Sequence, residues 1–180
     1  MKDLSMHILD IIQNSVRAEA SLVELDINEN QKEDLYSITI KDNGCGMSGE
    51  VLERVCDPFF TTRTARKVGL GLSLLKQNAE QTGGNMEIWS EEGSGTKLDV
   101  CFSLSHIDRP VLGDISGTMV LLVGANPDMD FIYRHSTKKG EYIFDTREIK
   151  EVLEEVSVSD SNIMQYLKEL IKENLNTIII

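Results

Sequence analysis

The sequence predicts an α/β fold, with helices laid against a β-sheet, and three patterns predict it. Leu4, Ile8, Ile11, Ile12 and Val16 recur at the helical period over residues 4–19. Two runs, 21–28 and 35–41, alternate apolar and polar residues as half-buried strands do. A further periodic stretch, 70–82, stops at Gly83-Gly84, a strong helix C-terminal signal.

The elements follow in chain order. Asp3 or Ser5 caps the first helix. Residues 28–34 are polar and turn-like, so the two alternating runs make a hairpin. A short amphipathic helix over 48–55 follows a glycine turn. Residues 57–68 hold Pro58, two Phe, three Thr and three basic residues without a period, which predicts a loop. After the helix at 70–82, strands over 86–90 and 96–104 flank a turn at 91–95. His106, Asp108, Arg109, Pro110 and Gly113 then break the pattern, which predicts a boundary between a unit 1–108 and a smaller α/β unit 109–180. In the second unit, the apolar run 117–124 reads as a strand, followed by strands at 131–135 and 140–145 and capped helices at 146–156 and 159–175. Trp89 and Phe102 are expected in the core, the methionines as core filler, His106 and His135 at the surface, and His7 in a structural place on the first helix.

Composition excludes several classes. The chain of 180 residues has 41% hydrophobic residues, enough for a real core. Its formal charge is -12, which argues against general nucleic-acid binding. Up to Asp108 there are 10 basic and 18 acidic residues, and beyond it 8 and 12, so the acidity is a spread-out solvated surface and not a tail. No apolar run reaches the ~20 residues that span a bilayer, and the N-terminus lacks the apolar core of a secretory signal. A cytoplasmic protein is therefore expected. Cys45, Cys56 and Cys101 are widely spaced and form no Cys-x-x-Cys pair, so they read as free thiols and not as zinc ligands.

Four short motifs carry the chemistry. Asp10, Asn14 and Arg17 fall at i, i+4 and i+7 on one face of the first helix. A carboxylate, an amide oxygen and a guanidinium there make a platform for magnesium and phosphates, since Mg²⁺ takes hard oxygen ligands. Asp42-Asn43-Gly44-Cys45-Gly46-Met47 follows a strand. A carboxylate at a strand end accepts a hydrogen bond from an exocyclic amine such as N6 of adenine, and Gly44 and Gly46 allow close approach of a flat ligand. Lys67-Val68-Gly69-Leu70-Gly71-Leu72 opens a helix whose N-terminal N–H groups suit phosphates. It fits neither the dinucleotide fingerprint nor the P-loop. Gly93-Ser94-Gly95-Thr96 is a turn whose Thr96 hydroxyl can reach the base through water. Each motif alone has an ordinary structural reading, as helix face, turn or hairpin. Their order and element types together point to a purine nucleotide with magnesium.

The same four motifs, with Asp57-Pro58-Phe59-Phe60-Thr61-Thr62 ahead of Gly-Leu-Gly-Leu, resemble the ATP-binding module shared by gyrase, the heat-shock-ninety chaperone, histidine kinases and the mismatch-repair ATPase. The Phe-Phe-Thr-Thr block and the run from Asp57 to Leu104 resemble the histidine-kinase branch, and the resemblance covers residues 1–105. It implies a Bergerat-type fold, a two-layer sandwich of a mixed β-sheet packed by helices on one face. It implies that Asn14 ligates magnesium and that Asp42 binds the adenine amine. Gly44, Gly46, Met47 and Thr96 would form the base pocket, and Arg17, Gly69, Leu70, Gly71 and Leu72 would meet phosphates. Residues 59–68 would be the lid, with Thr62 and Lys67 among its polar contacts.

Two residues depart from the family pattern. Asp10 stands where hydrolytic members carry a longer Glu as general base, and Lys67 where kinases carry another glycine. The module begins almost at Met1, so a phospho-accepting histidine is expected on a separate protein. The cofactors implied are ATP and Mg²⁺. A protein partner, or a homodimer through 109–180, is the partner expected. Three activities stand open: phosphate transfer to that partner, ATP hydrolysis driving an assembly cycle, or non-catalytic ATP sensing of the anti-sigma type.

Overall fold

The computed structural model describes residues 3–57 and 70–179. The elements are α1 (Leu4–Arg17), β1 (Leu22–Asn30), β2 (Leu35–Asp42), α2 (Gly49–Arg54), α3 (Leu70–Gln81), β3 (Asn85–Glu91), β4 (Gly95–Ser103), α4 (Ile115–Ala125), β5 (Asp130–Thr137), β6 (Gly140–Asp145), α5 (Thr146–Leu153) and α6 (Ser161–Ile178). The strands form one six-stranded sheet in the order β3-β4-β2-β1-β5-β6. β1 and β5 run parallel, whereas every other neighbouring pair is antiparallel.

Strand alternation decides which face is covered. Leu25, Ile27, Tyr36, Ile38, Ile40, Leu98, Val100, Phe102, Phe131 and Tyr133 are all buried on one face. They form one core with Leu4, Ile8 and Ile12 of α1, Leu75 and Ala79 of α3, and Leu167, Ile171 and Leu175 of α6. The opposite face carries polar pairs, such as the Thr39 hydroxyl donating to Asp99 at 2.7 Å. This is a mixed sheet with its helices on one face. The first helix begins at its expected cap, where the Asp3 carboxylate accepts the Met6 N–H.

Past residue 108 the chain builds into this same sheet and core, because β5 pairs with β1 from Leu22↔Asp130 to Asn28↔Ser136. The run expected as a strand at 117–124 is the helix α4. Asp114 caps it by accepting the Gly117 N–H. Ile115, Met119, Val120, Leu122 and Val123 are all buried. A helix enclosed on several sides is apolar nearly all round and shows no 3.6-residue stripe, so its sequence looks like that of a buried strand.

Three side-chain placements also differ from expectation. His135 is fully buried, because it shares the inner face with Phe131 and Tyr133 in a strand flanked on both sides. Its Nδ1 lies 2.7 Å from the Tyr133 hydroxyl and its Nε2 lies 2.9 Å from Glu29 Oε1. Trp89 is 47% exposed. It pairs with Lys97 on the open face, where the ammonium sits 5.0 Å from the ring centroid, and its neighbour Ile88 pairs with Leu98 on the inner face. Met6 is 48% exposed, whereas Phe102, Met86 and Met119 are buried.

Candidate functional site

The inner end of β2 carries the site. Parity puts Asp42 on the same face as Ile38 and Ile40, beneath α1, with only 9% of its surface exposed. A carboxylate taken this far from water needs donors, and three groups of the chain supply them. The Ser15 hydroxyl donates to Oδ2 at 2.6 Å. The backbone N–H groups of Gly44 and Thr96 donate to Oδ1 at 3.0 and 3.3 Å.

The glycines of the following turn serve backbone packing. A Cβ at position 44 would run into Ala18, whose carbonyl accepts the Cys45 N–H at 2.8 Å. Gly46 has φ +68, and a Cβ there would collide with the Glu91 carbonyl. Gly95, in the β3–β4 hairpin, has φ +101 and packs on the Asp42 carbonyl. The turn after β2 and the β3–β4 hairpin therefore interlock around Asp42.

Above this floor lies a cavity of about 450 Å³, within the usual range of small-molecule sites. Asp10, Asn14, Arg17, Asp42, Gly46, Met47, Gly71, Leu72 and Thr96 line it. The first turn of α3 is thus part of the wall, and Ile11, Ile40, Val51, Val55, Ile88 and Leu98 give it apolar sides. Asn14 and Asp42, from different elements, face one space. Arg17 Nη1 donates to Asn14 Oδ1 at 2.6 Å and so orients that amide. Gly44 supports the floor without lining the cavity. Thr62, Lys67, Gly69 and the side chain of Leu70 lie outside the described residues.

Two further serines, outside the four motifs, belong to this site. Ser15 lies at i+7 and i+3 from Ile8 and Ile12, on the apolar face of α1. A hydroxyl in an apolar stripe needs a partner, and that was the legible signal. Ser90 sits behind Thr96 with its Oγ 2.8 Å from the Thr96 hydroxyl. Nothing in the sequence marks it. His7 is buried between α1 and α3, with Nε2 3.5 Å from the Asn78 amide nitrogen. Burial pushes its pKa below the usual histidine value.

A one-sided mixed sheet with a cavity between its first helix and a strand-end carboxylate defines a class of α/β domains with room for a small ligand. Residues 2–106 match the model of the family described as histidine kinase-, DNA gyrase B-, and HSP90-like ATPase, and the chain belongs to that family. Among its relatives, the sensor histidine kinase WalK of Bacillus subtilis is 33% identical over 113 residues, covering 58% of this chain and 18% of that protein. A probable C4-dicarboxylate sensor kinase of Bacillus subtilis is 35% identical over 80 residues, or 44% of this chain and 15% of that protein. The chain therefore corresponds to under a fifth of these relatives. The fold is also that of the Aquifex aeolicus MutL ATPase domain complexed with ADP, with a TM-score of 0.54 and 18% identity over 85% of this chain and 69% of that one. The family and these relatives make this an ATP-binding, histidine-kinase-like domain.

Proposed function

We propose that this chain holds Mg-ATP in the cavity beneath α1 and passes the terminal phosphate to a separate protein. The observation that supports this reading above all is that Asn14 and Asp42 line one cavity of about 450 Å³. Three donors hold the Asp42 carboxylate and leave acceptor capacity on Oδ2, which suits the N6 amine of adenine. Apolar Ile11, Ile40, Ile88 and Leu98 suit the faces of the ring.

At the other end of the proposed site, Asn14 Oδ1 would contribute to holding magnesium, with Arg17 fixing the amide and reaching for phosphate oxygens. Among the described residues, no group of three His, Cys, Asp or Glu is placed to hold a metal alone. One amide with phosphate oxygens and water is a donor set that fits this ion. When bound, magnesium supplies charge neutralisation on the transferring phosphate. N–H groups in the first turn of α3 near Gly71 would bind the phosphates, and Thr62, Lys67 and Gly69 would complete that end by resemblance. Residues 109–180 would serve the partner contact, for which Leu121, Ile143 and Val152 offer exposed apolar side chains.

One observation favours a second reading. Asp10 lines the cavity one helical turn before Asn14, where a carboxylate can take a proton from water and direct hydrolysis. Incubation with γ-labelled ATP and proteins captured with the chain separates the two. Label on a captured protein supports transfer, release as free phosphate supports hydrolysis, and ATP retained intact overturns both.

A further inference from the structure

The hydroxyl protons at the Asp42 end of the cavity can be assigned by counting donors. Ser90 Oγ has three neighbours: the Met47 N–H at 2.8 Å, the Gly95 carbonyl oxygen at 2.9 Å and the Thr96 hydroxyl at 2.8 Å. Met47 N–H only donates and the Gly95 carbonyl only accepts. Ser90 has one proton. If it pointed at Thr96, the Ser90 and Gly95 oxygens would face each other without a hydrogen between them. The arrangement that satisfies every contact sends the Ser90 proton to Gly95 and the Thr96 proton to Ser90. Ser90 is then saturated, with two protons accepted and one donated.

Thr96 lines the cavity and Ser90 does not. With its proton turned back to Ser90, the Thr96 hydroxyl shows the cavity only lone pairs. Ser15, also on the lining, spends its proton on Asp42. All three polar side chains at this end, Asp42, Ser15 and Thr96, therefore present acceptors. Each base edge carries one donor and one acceptor, N6–H with N1 in a 6-aminopurine and N1–H with O6 in a 6-oxopurine, so the choice is made by position. With C6 turned to Asp42 and to Thr96 beside it, an amino group there meets acceptors and a carbonyl oxygen there meets like partial charges.

We propose that Ser90 is a positioning residue that sets base specificity: it holds the Thr96 hydroxyl as an acceptor, so the pocket takes a 6-aminopurine and turns away a 6-oxopurine. The inference rests on the reading of this cavity as an adenine-nucleotide site and adds the group that enforces the choice of base.

The test is isothermal titration of the full chain with Mg-ADP and Mg-IDP, which differ at C6 and at the N1 proton. The wild type binds ADP more tightly. S90A frees the Thr96 proton to turn into the cavity and meet the 6-oxo group, so the ADP/IDP affinity ratio narrows about tenfold, the worth of one neutral hydrogen bond, mainly by a gain for IDP. S90T keeps the hydroxyl and restores the wild-type ratio. An unchanged ratio in S90A, or equal losses for both nucleotides, overturns the proposal. If S90A does not fold, T96V decides: ADP binding weakens about tenfold and IDP binding does not, and parallel losses overturn the proposal. A wild type that binds the two alike defeats the specificity claim and leaves the nucleotide site standing. A wild type that binds neither defeats both.

Discussion

Ser15 and Asp42 lie 27 residues apart, and the Ser15 hydroxyl donates to Asp42 Oδ2 across a buried 2.6 Å contact. This bond ties α1 to the end of β2, the two elements that carry the magnesium and adenine candidates. Ser15→Ala would leave one carboxylate oxygen short of a donor at a site that is 9% exposed. A hydrogen bond to a charged group contributes about 2 kcal/mol, so urea denaturation should show a loss of that size. ATP affinity should fall with it, because the carboxylate loses its fixed orientation. Unchanged stability together with unchanged affinity would remove Ser15 from the site.

Asp42→Ala should abolish ATP binding, and Asn14→Ala should remove the magnesium dependence of that binding while leaving a weak metal-independent component. Titrations with and without a chelator read both effects. Unaltered ATP titrations in both variants would refute the site.

Gly95→Ala tests the interlocked floor. The position has φ +101, and an added Cβ would collide with the Asp42 carbonyl. The backbone cannot satisfy both constraints without moving β2 from β4. A loss of several kcal/mol is expected, seen as a large drop in thermal midpoint. Gly93→Ala is the comparison: it also has positive φ, +80, but its Cβ would meet nothing within 4 Å. Its cost should be about 1 kcal/mol, from the left-handed backbone alone.

His7 predicts an acid-sensitive window. Burial comes first among the causes that hold its pKa below 6.5. The folded state therefore binds fewer protons than the unfolded state, and stability falls as pH drops below 6.5. The carboxylate of Asp114, held down to about 2 chiefly by the Gly117 N–H and then by Lys168, acts in a separate window: its contribution is present above 3.8 and is lost as pH falls toward 2. Melting temperatures across the upper window should flatten in His7→Gln. A slope equal to that of the wild type would assign the effect to other groups.

Ile171 of α6 is fully buried in the core shared with α1 and the sheet. Ile171→Ala should cost about 3 kcal/mol through lost burial and the cavity left behind. One denaturation transition, shifted as a whole, should report it by both far-UV circular dichroism and Trp89 fluorescence. Trp89 lies in β3, at the far edge of the sheet. Two separable transitions would mean that residues 109–180 unfold independently.

Most elements could be placed from pattern alone. The alternation at 21–28 and 35–41 and the glycine stop at Gly83-Gly84 each rest on contacts between residues close in the chain, where period and capping act directly. The run 117–124 reads as a strand and is a helix, because its faces are buried against different neighbours and no stripe survives in the sequence. The burial of His135 and the exposure of Trp89 depended on strand order and face. Which strand lies inside the sheet is settled by partners 100 or more residues away, such as Glu29 for His135.

At the site, the sequence by itself determined which residue types were available: an amide and two charges on one helix face, a carboxylate ending a strand, and glycines at two turns. These follow from spacing along the chain, which secondary structure turns directly into direction. Only the tertiary structure decided that Asn14 and Asp42 share a cavity, that Ser15 and the backbone of Gly44 and Thr96 hold the carboxylate, and that Ser90 stands behind Thr96. The physical reason is that a buried polar group takes whichever partners packing brings within hydrogen-bond reach, and packing joins segments that the linear order keeps apart.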